Sequence, residues 1–218
     1  MSLYIVATPI GNLEDISFRA IDVLKRCKIL AEDTRRTKML MAKYEIRSRI
    51  DSYNDHNKER KTPMIIEELK AGKDIAIVTD SGTPGISDPG FYIVREAVRN
   101  GIDVIPVPGA CAFVSALVAS GLATDRFTFY GFLPKKEGRK KNVLEQIKAG
   151  KETAVLYESP YRLVKDLELI KKMLPGSEVV VARELTKKFE EFIRGTAEDV
   201  YEKLKDRKIK GEIVLVIG

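Results

Sequence analysis

Apolar and polar positions along the chain form two kinds of run that take turns. Short β-branched stretches lie at residues 3–7, 28–31, 49–53, 74–78 and 102–107, and each reads as a strand. Stretches with helical spacing lie between them. Asp15 or Ser17 can cap a helix through Ala20, Ile21, Val23 and Leu24 to about residue 26. Further helices are predicted over 37–44, over 63–71 with Pro63 at its start and Gly72 at its end, over 91–99, and over 113–120. Residues 75–78, Ile-Ala-Ile-Val, are apolar without a break, as in a parallel strand covered on both faces. The pattern predicts an α/β domain with a parallel sheet over residues 1–121.

Composition changes across Gly121-Leu122-Ala123-Thr124-Asp125-Arg126, and a second α/β domain is expected over 122–218. Its strands are predicted at 127–132, 152–157, 178–182 and 212–217, and its helices at 142–149, 161–174 and 197–206. Residues 189–194 and the last strand are suited to antiparallel pairing, so this sheet is expected to be mixed.

The strand ends carry the unusual chemistry. After Val78 comes Thr79-Asp80-Ser81-Gly82-Thr83-Pro84-Gly85-Ile86-Ser87-Asp88-Pro89-Gly90. A strand-to-helix connection usually takes about 2–6 residues. This one is longer and dense in Gly and Pro, which let backbone approach a ligand and hold the loop in one shape. It reads as a binding loop at the carboxyl end of a strand, with an ordinary connector as the other reading. Thr8-Pro9-Ile10-Gly11 and Pro108-Gly109-Ala110-Cys111 repeat the theme after the first and fifth strands. Glu32-Asp33-Thr34-Arg35-Arg36 puts two acids and two arginines after the second, where capping of a helix and function are both open. No GxGxxG follows the first strand, and there is no GxxxxGK[ST], GxSxG or HExxH. Several loops of this kind suit a polar small ligand held mainly by main-chain groups.

Composition adds limits. The net charge of +6 and pI near 9.1 agree with an anionic partner such as RNA, and equally with a lysine-rich charged surface. Residues 135–141 hold five Lys or Arg and could meet phosphates or only solvent. Apolar residues are 44% of the chain, enough for a core, and no run is long enough to span a membrane. The start of the chain reads as a strand and not as a secretory leader. Cys27 and Cys111 have no metal-type spacing, which fits the reducing cytosol, and the single histidine, His56, excludes a multi-histidine metal site. No metal is expected.

These motifs together resemble one family. Residues 3–13 (LYIVATPIGNL), 31–35 (AEDTR), 81–90 (SGTPGISDPG), 131–134 (GFLP), 157–160 (YESP), 182–187 (ARELTK) and 211–216 (GEIVLV) resemble the ribosomal RNA small subunit methyltransferase I group of the tetrapyrrole methylase superfamily, in order along the chain. The resemblance implies an S-adenosyl-L-methionine-dependent enzyme that methylates the ribose 2′-hydroxyl of a cytidine in the decoding region of 16S rRNA in the small ribosomal subunit. It also implies a cytoplasmic homodimer with two α/β domains and a cofactor cleft between them. Carried over by position, Pro9, Ile10, Asp80, Gly82, Thr83, Gly85, Ile86, Ala110, Cys111, Leu156, Tyr157 and Ala182 match cofactor-lining residues. Three features depart from the pattern. Cys111 stands where the superfamily usually has Ser, Tyr161 stands where relatives usually have His, and many relatives continue past the last strand.

Methyl transfer to oxygen needs an in-line approach and a hydroxyl that sheds its proton. The mixed charges at strand ends make Asp33, Glu184 and Lys187 the catalytic candidates, and a set of structural ion pairs is the alternative for each. Arg35, Arg183, Lys135, Lys136, Arg139 and Lys140 are the candidate RNA contacts. Other readings are a methyltransferase acting on a tetrapyrrole precursor or a protein side chain, and a non-catalytic cofactor- or RNA-binding module.

Overall fold

The computed structural model describes residues 1–218 and divides into two compact units, Met1–Cys111 and Ala112–Gly218.

In the first unit, strands β1 (Ser2–Val6), β2 (Lys28–Ala31), β3 (Ile50–Ser52), β4 (Ile75–Val78) and β5 (Asp103–Val107) form an all-parallel sheet in the order β3-β2-β4-β1-β5. Helices α1 (Phe18–Arg26), α2 (Thr34–Lys43), α3 (Lys58–Lys70) and α4 (Gly90–Arg99) connect the strands. Alternate strand residues face opposite sides. Tyr4, Val6, Ala76 and Val78 pack with Ala20, Val23 and Leu24 of α1 and Leu40 and Met41 of α2. Leu3, Ile75 and Ile77 pack with Ile65, Ile66 and Leu69 of α3 and Ile93 and Ala97 of α4. The apolar run at 75–78 is thus buried on both faces, as its composition requires. Neighbouring strands β1 and β4 send the chain to opposite faces of the sheet. This is the switch point at which open α/β sheets present a ligand crevice.

Ser17 caps α1 by accepting from the Ala20 amide. Helix α3 begins at Lys58, a turn and more before the expected residue 63, and Pro63 lies inside it. Thr62, buried, donates from its hydroxyl to the Lys58 carbonyl at 2.6 Å and meets the Tyr53 hydroxyl at 2.9 Å, which fixes the turn before the proline as helix.

The second unit starts with helix α5 (Ala112–Val118), so the division falls before this helix and not after it at residue 121. The reason is packing: α5 lies against β7 (Thr153–Glu158) and β10 (Ile213–Ile217), and its Phe113 ring stacks on Phe129 at 4.4 Å. With β6 (Phe127–Phe132), β8 (Glu178–Arg183) and β9 (Glu191–Thr196), these strands form a mixed sheet in the order β6-β7-β10-β8-β9. Only β6 and β7 run parallel, while β10 is antiparallel to both of its neighbours and β9 to β8. Leu156, Val181 and Leu215 point into a core shared with α6 (Glu137–Ala149), α7 (Leu163–Met173) and α8 (Ala197–Leu204). Thr196 and Asp199 form a reciprocal cap at the start of α8. The basic stretch 135–141 is not a loop throughout, since from Glu137 onward it is the first part of α6.

Candidate functional site

Three loops of the first unit are knitted at the carboxyl ends of β1, β4 and β5. Thr8 and Gly82 exchange two main-chain hydrogen bonds, at 2.9 and 3.1 Å, and the Thr8 hydroxyl donates to the Thr79 carbonyl at 3.1 Å. The Thr83 hydroxyl donates to the Ala110 carbonyl at 3.1 Å. Gly82 has φ +84°, a conformation that selects glycine, and a Cβ there would just touch Ile10 Cγ2 at 3.4 Å. Pro9 and Ile10 are buried beside it. The structure therefore brings Pro9, Ile10, Gly82, Thr83 and Ala110 together, with Gly85 and Ile86 further along the same loop and Cys111 half-buried after Ala110.

Asp88 shapes the far part of the central loop. Its carboxylate accepts the Gly85 amide at 2.8 and 3.0 Å and the Gly90 amide at 2.7 Å. A Cβ on Gly90 would crowd Asp88 Oδ1 and the Gly85 nitrogen at 2.8 Å, so the chain closes tightly on this side chain. Sequence reasoning misses Asp88 as a functional residue. Its signal was an Asp two residues before a Gly in a turn-rich stretch, the setting in which its side chain bonds nearby amides.

The end of β2 joins the same edge. Thr79 donates to Glu32 at 2.8 Å, and Asp80 accepts the Asp33 amide at 2.9 Å and lies 3.5 Å from Arg36. Asp33 caps α2 through the Arg35 amide and pairs with the Arg35 guanidinium at 2.7 Å. These bonds hold its carboxyl at a pKa of about 2.

In the second unit, Glu184 and Lys187 pair with each other at 2.9 Å, and Lys187 also reaches Glu212 at 2.9 Å. Glu184 further accepts the Glu212 amide at 3.0 Å. Glu184 and Thr186 both have left-handed backbones, at φ +51° and +64°, an uncommon state for such residues and one that tends to cluster at functional sites. The hydrogen bond from Lys187 lowers the Glu184 pKa. Burial works to lower the Lys187 pKa, but its two carboxylate partners outweigh burial and raise it. The opposite charges beside them keep Asp33 and Glu184 ionised and Lys187 protonated near neutral pH. Arg183 is drawn inward, donating to the Lys210 carbonyl at 3.0 Å and pairing with Glu191 at 3.1 Å. Arg35 is exposed and paired with Asp33, while Lys135, Lys136 and Arg139 are exposed and these three have no carboxylate partner.

Lys140 corrects the expected set of RNA contacts. It is 6% exposed and pairs with Asp166 of α7. The helix that starts at Glu137 turns this side chain into the unit, where no phosphate can reach it. Next to the pair lies Glu158, also buried, which accepts from Arg162 at 2.7 Å and from the Ser159 amide at 2.6 Å. Arg162 in turn donates to the Leu133 carbonyl at 2.9 Å. Glu158 Oε2 and Asp166 Oδ2 are both buried without a donor. Burial, aided by the neighbouring Asp166, pushes the Glu158 pKa up to about 7, so a proton on Glu158 is the donor both oxygens lack.

The expected cofactor contacts of the second unit separate by face. Tyr157 and Ala182 both stand opposite Val214 and form one row across the sheet. Leu156 belongs to the next row, and its side chain is in the core, which leaves only its main chain for a ligand contact.

The signature of the tetrapyrrole (corrin/porphyrin) methylases matches residues 2–201. The chain belongs to the tetrapyrrole methylase family. Within the family it is similar to proteins named ribosomal RNA small subunit methyltransferase I. The one from Halalkalibacterium halodurans is 48% identical over 99% of this chain and 75% of its own length. The one from Bacillus subtilis is 50% identical over 99% and 74%. The one from Hydrogenobaculum sp. is 47% identical over 100% and 96%. Among solved tetrapyrrole methylase-like folds, a diphthine synthase matches with a TM-score of 0.77 at 15% identity, over 100% of this chain and 90% of that one. Uroporphyrin-III C-methyl transferase from Thermus thermophilus, complexed with S-adenyl homocysteine, matches with a TM-score of 0.69 at 18% identity, over 100% and 97%. The parallel and mixed sheets read from the sequence are thus those of a tetrapyrrole methylase.

Proposed function

We propose that this tetrapyrrole methylase transfers a methyl group from S-adenosylmethionine to small-subunit ribosomal RNA, at the ribose 2′-oxygen of a cytidine in the decoding region. The observation that carries this reading is the identity of nearly half, along almost the whole chain, with relatives that bear the rRNA methyltransferase name. A cytoplasmic homodimer is part of the proposal.

The loops of the first unit fit the cofactor. Gly82 leaves room that a side chain would fill beside Ile10, and Gly85 has open space where a Cβ would point. Main-chain groups around Gly82, Thr83 and Ala110 suit the polar ends of such a ligand, while Pro9, Ile10 and Ile86 give it an apolar wall. When bound, the cofactor supplies an activated methyl group on a sulfonium, and the methyl is exchanged for the hydroxyl proton of the ribose. The chain's own residues position the partners. Asp88 keeps the loop in its binding shape before the ligand arrives. Asp88→Ala frees the Gly85 and Gly90 amides and is expected to weaken S-adenosylmethionine binding about tenfold by calorimetry. Unchanged affinity would remove Asp88 from this role.

Asp33 and Glu184 act here as charges that orient Arg35 and Lys187. Asp33→Asn keeps the helix cap and removes the charge. It is expected to lower kcat/KM for RNA by no more than about fivefold, as for an exposed ion pair, and to leave the pH profile unmoved. A loss of about a hundredfold or more with a shifted acid limb would instead mark Asp33 as a general base.

The whole reading is tested with labelled S-adenosylmethionine, unmethylated 30S subunits and naked 16S rRNA, followed by mapping of the labelled nucleotide. Label on a cytidine 2′-oxygen of the decoding region is the expected result. Cofactor binding with no label on either RNA would move the assignment to tetrapyrrole or protein substrates.

A further inference from the structure

We propose that Phe132 and Tyr161, flanked by Lys135, Lys136 and Arg139, form a stacking platform for unpaired bases of the RNA substrate, an inference that rests on the RNA reading above. Phe132 ends β6 and is 55% exposed, while Tyr161, just past the end of the parallel neighbour β7, is 96% exposed. The two segments are held side by side. Phe132 stands opposite Tyr157 in the strand register, with ring centroids 5.4 Å apart. Arg162, next to Tyr161, donates to the carbonyl of Leu133, next to Phe132, at 2.9 Å. Arg162 is itself pinned by buried Glu158. Both rings thus sit on held backbone, Tyr161 almost wholly exposed and Phe132 about half, its covered part against Tyr157.

A single exposed aromatic needs no explanation. Two on joined strand ends, with three exposed cations that no carboxylate neutralises following Phe132 closely in the chain, form a surface of a particular chemistry. Glu137, the one acid within residues 135–141, is occupied by Lys141 at 2.8 Å. A ring gives a base a flat apolar face, and unpaired cations attract the backbone phosphates between bases. Single-stranded RNA offers both, whereas in a duplex the bases are already stacked. A tetrapyrrole precursor would match the rings, but it has no chain of phosphates for cations spread along residues 135–139.

The test uses the full chain, a fluorescent oligocytidine of about a dozen nucleotides, its duplex form, and 30S subunits. Each is titrated at several salt concentrations. Phe132→Ala and Tyr161→Ala are each expected to weaken single-strand binding about tenfold with no change in salt slope, and Tyr161→Phe to restore it. Lys135→Gln and Lys136→Gln are expected to lower the salt slope by about 0.7 for each phosphate left unneutralised. Alanine variants that melt like the parent and bind all three RNAs as the parent does would overturn the platform. Alanine variants that change sedimentation and not RNA affinity would overturn it too, assigning the rings to a contact between subunits. A parent protein that binds none of these RNAs would overturn the substrate reading itself, so the two failures are distinct.

Discussion

Lys140→Met is expected to lower the melting temperature by roughly 6–20 °C, the consequence of losing about 3–5 kcal/mol when one partner of a buried ion pair is removed. The Lys140 ammonium is packed against Asp166, which is 1% exposed, and Glu158 lies in the same pocket at 2%. Without the ammonium the Asp166 carboxylate stays among apolar side chains of α6 and α7 with no cation of its own. The cost comes from the charge left behind, so the double variant Lys140→Met/Asp166→Leu is expected to recover most of the loss. Thermal unfolding by circular dichroism reads both. RNA affinity measured well below the transition is expected to stay within about twofold in Lys140→Met, because a side chain this buried makes no phosphate contact. A variant that melts within about 2 °C of the parent would show that the pair contributes little, since about 1 kcal/mol already moves a chain of this size that far.

Lys140 also shows where the sequence stopped being informative. Five cations in seven residues read as a solvated or RNA-facing loop, because local composition says nothing of a partner 26 positions away. Helix α6 buries Lys140, Leu144 and Ile147 on one face, and the first of these turns inward to meet Asp166. Strands were a different matter. Ile75-Ala76-Ile77-Val78 and Ile213-Val214-Leu215-Val216-Ile217 have no other sensible fate than burial, and both are central in their sheets. Boundaries failed where tertiary contacts outvoted a local signal. Pro63 is a good first residue of a helix, but the Tyr53–Thr62 contact carried α3 upstream past it.

The candidate site divides in the same way. The glycines of the central loop were legible because a positive φ leaves few alternatives. The small residues after β5 were legible from the Pro-Gly turn that precedes them. The inward direction of the Leu156 side chain was not, since parity along β7 decides whether a side chain faces the core, and motif position does not carry parity. Charges were the least legible. Asp33, Glu184 and Lys187 stand at strand ends as expected, yet each is matched by an opposite charge within 2.9 Å that sets its protonation.

Raising the pH from about 4.5 to 7 is expected to destabilise the second unit through Glu158 alone. The sign follows from the direction of the shift. In the folded chain the Glu158 carboxyl holds its proton up to a pKa of about 7, while in the unfolded chain it returns to its ordinary 4.5. Between those values the folded state binds the extra proton, so stability falls as pH rises. The contribution is complete below about 4.5 and gone above about 7, and is on the order of 3 kcal/mol. The carboxylates lowered by ion pairs, such as Asp33, Asp51, Glu68 and Glu184, act in the opposite sense and below that window, losing their contribution as the pH falls through their folded values. Glu158→Gln separates the two effects. Its amide can donate to the Asp166 oxygen that otherwise needs the shared proton, and its carbonyl can keep the Ser159 and Arg162 contacts. Denaturant unfolding across pH 5–8 is therefore expected to show a falling stability in the parent and a flat profile in Glu158→Gln, with the variant the more stable of the two at pH 8. Parallel profiles would mean that Glu158 is ionised throughout, and that Arg162 alone compensates it.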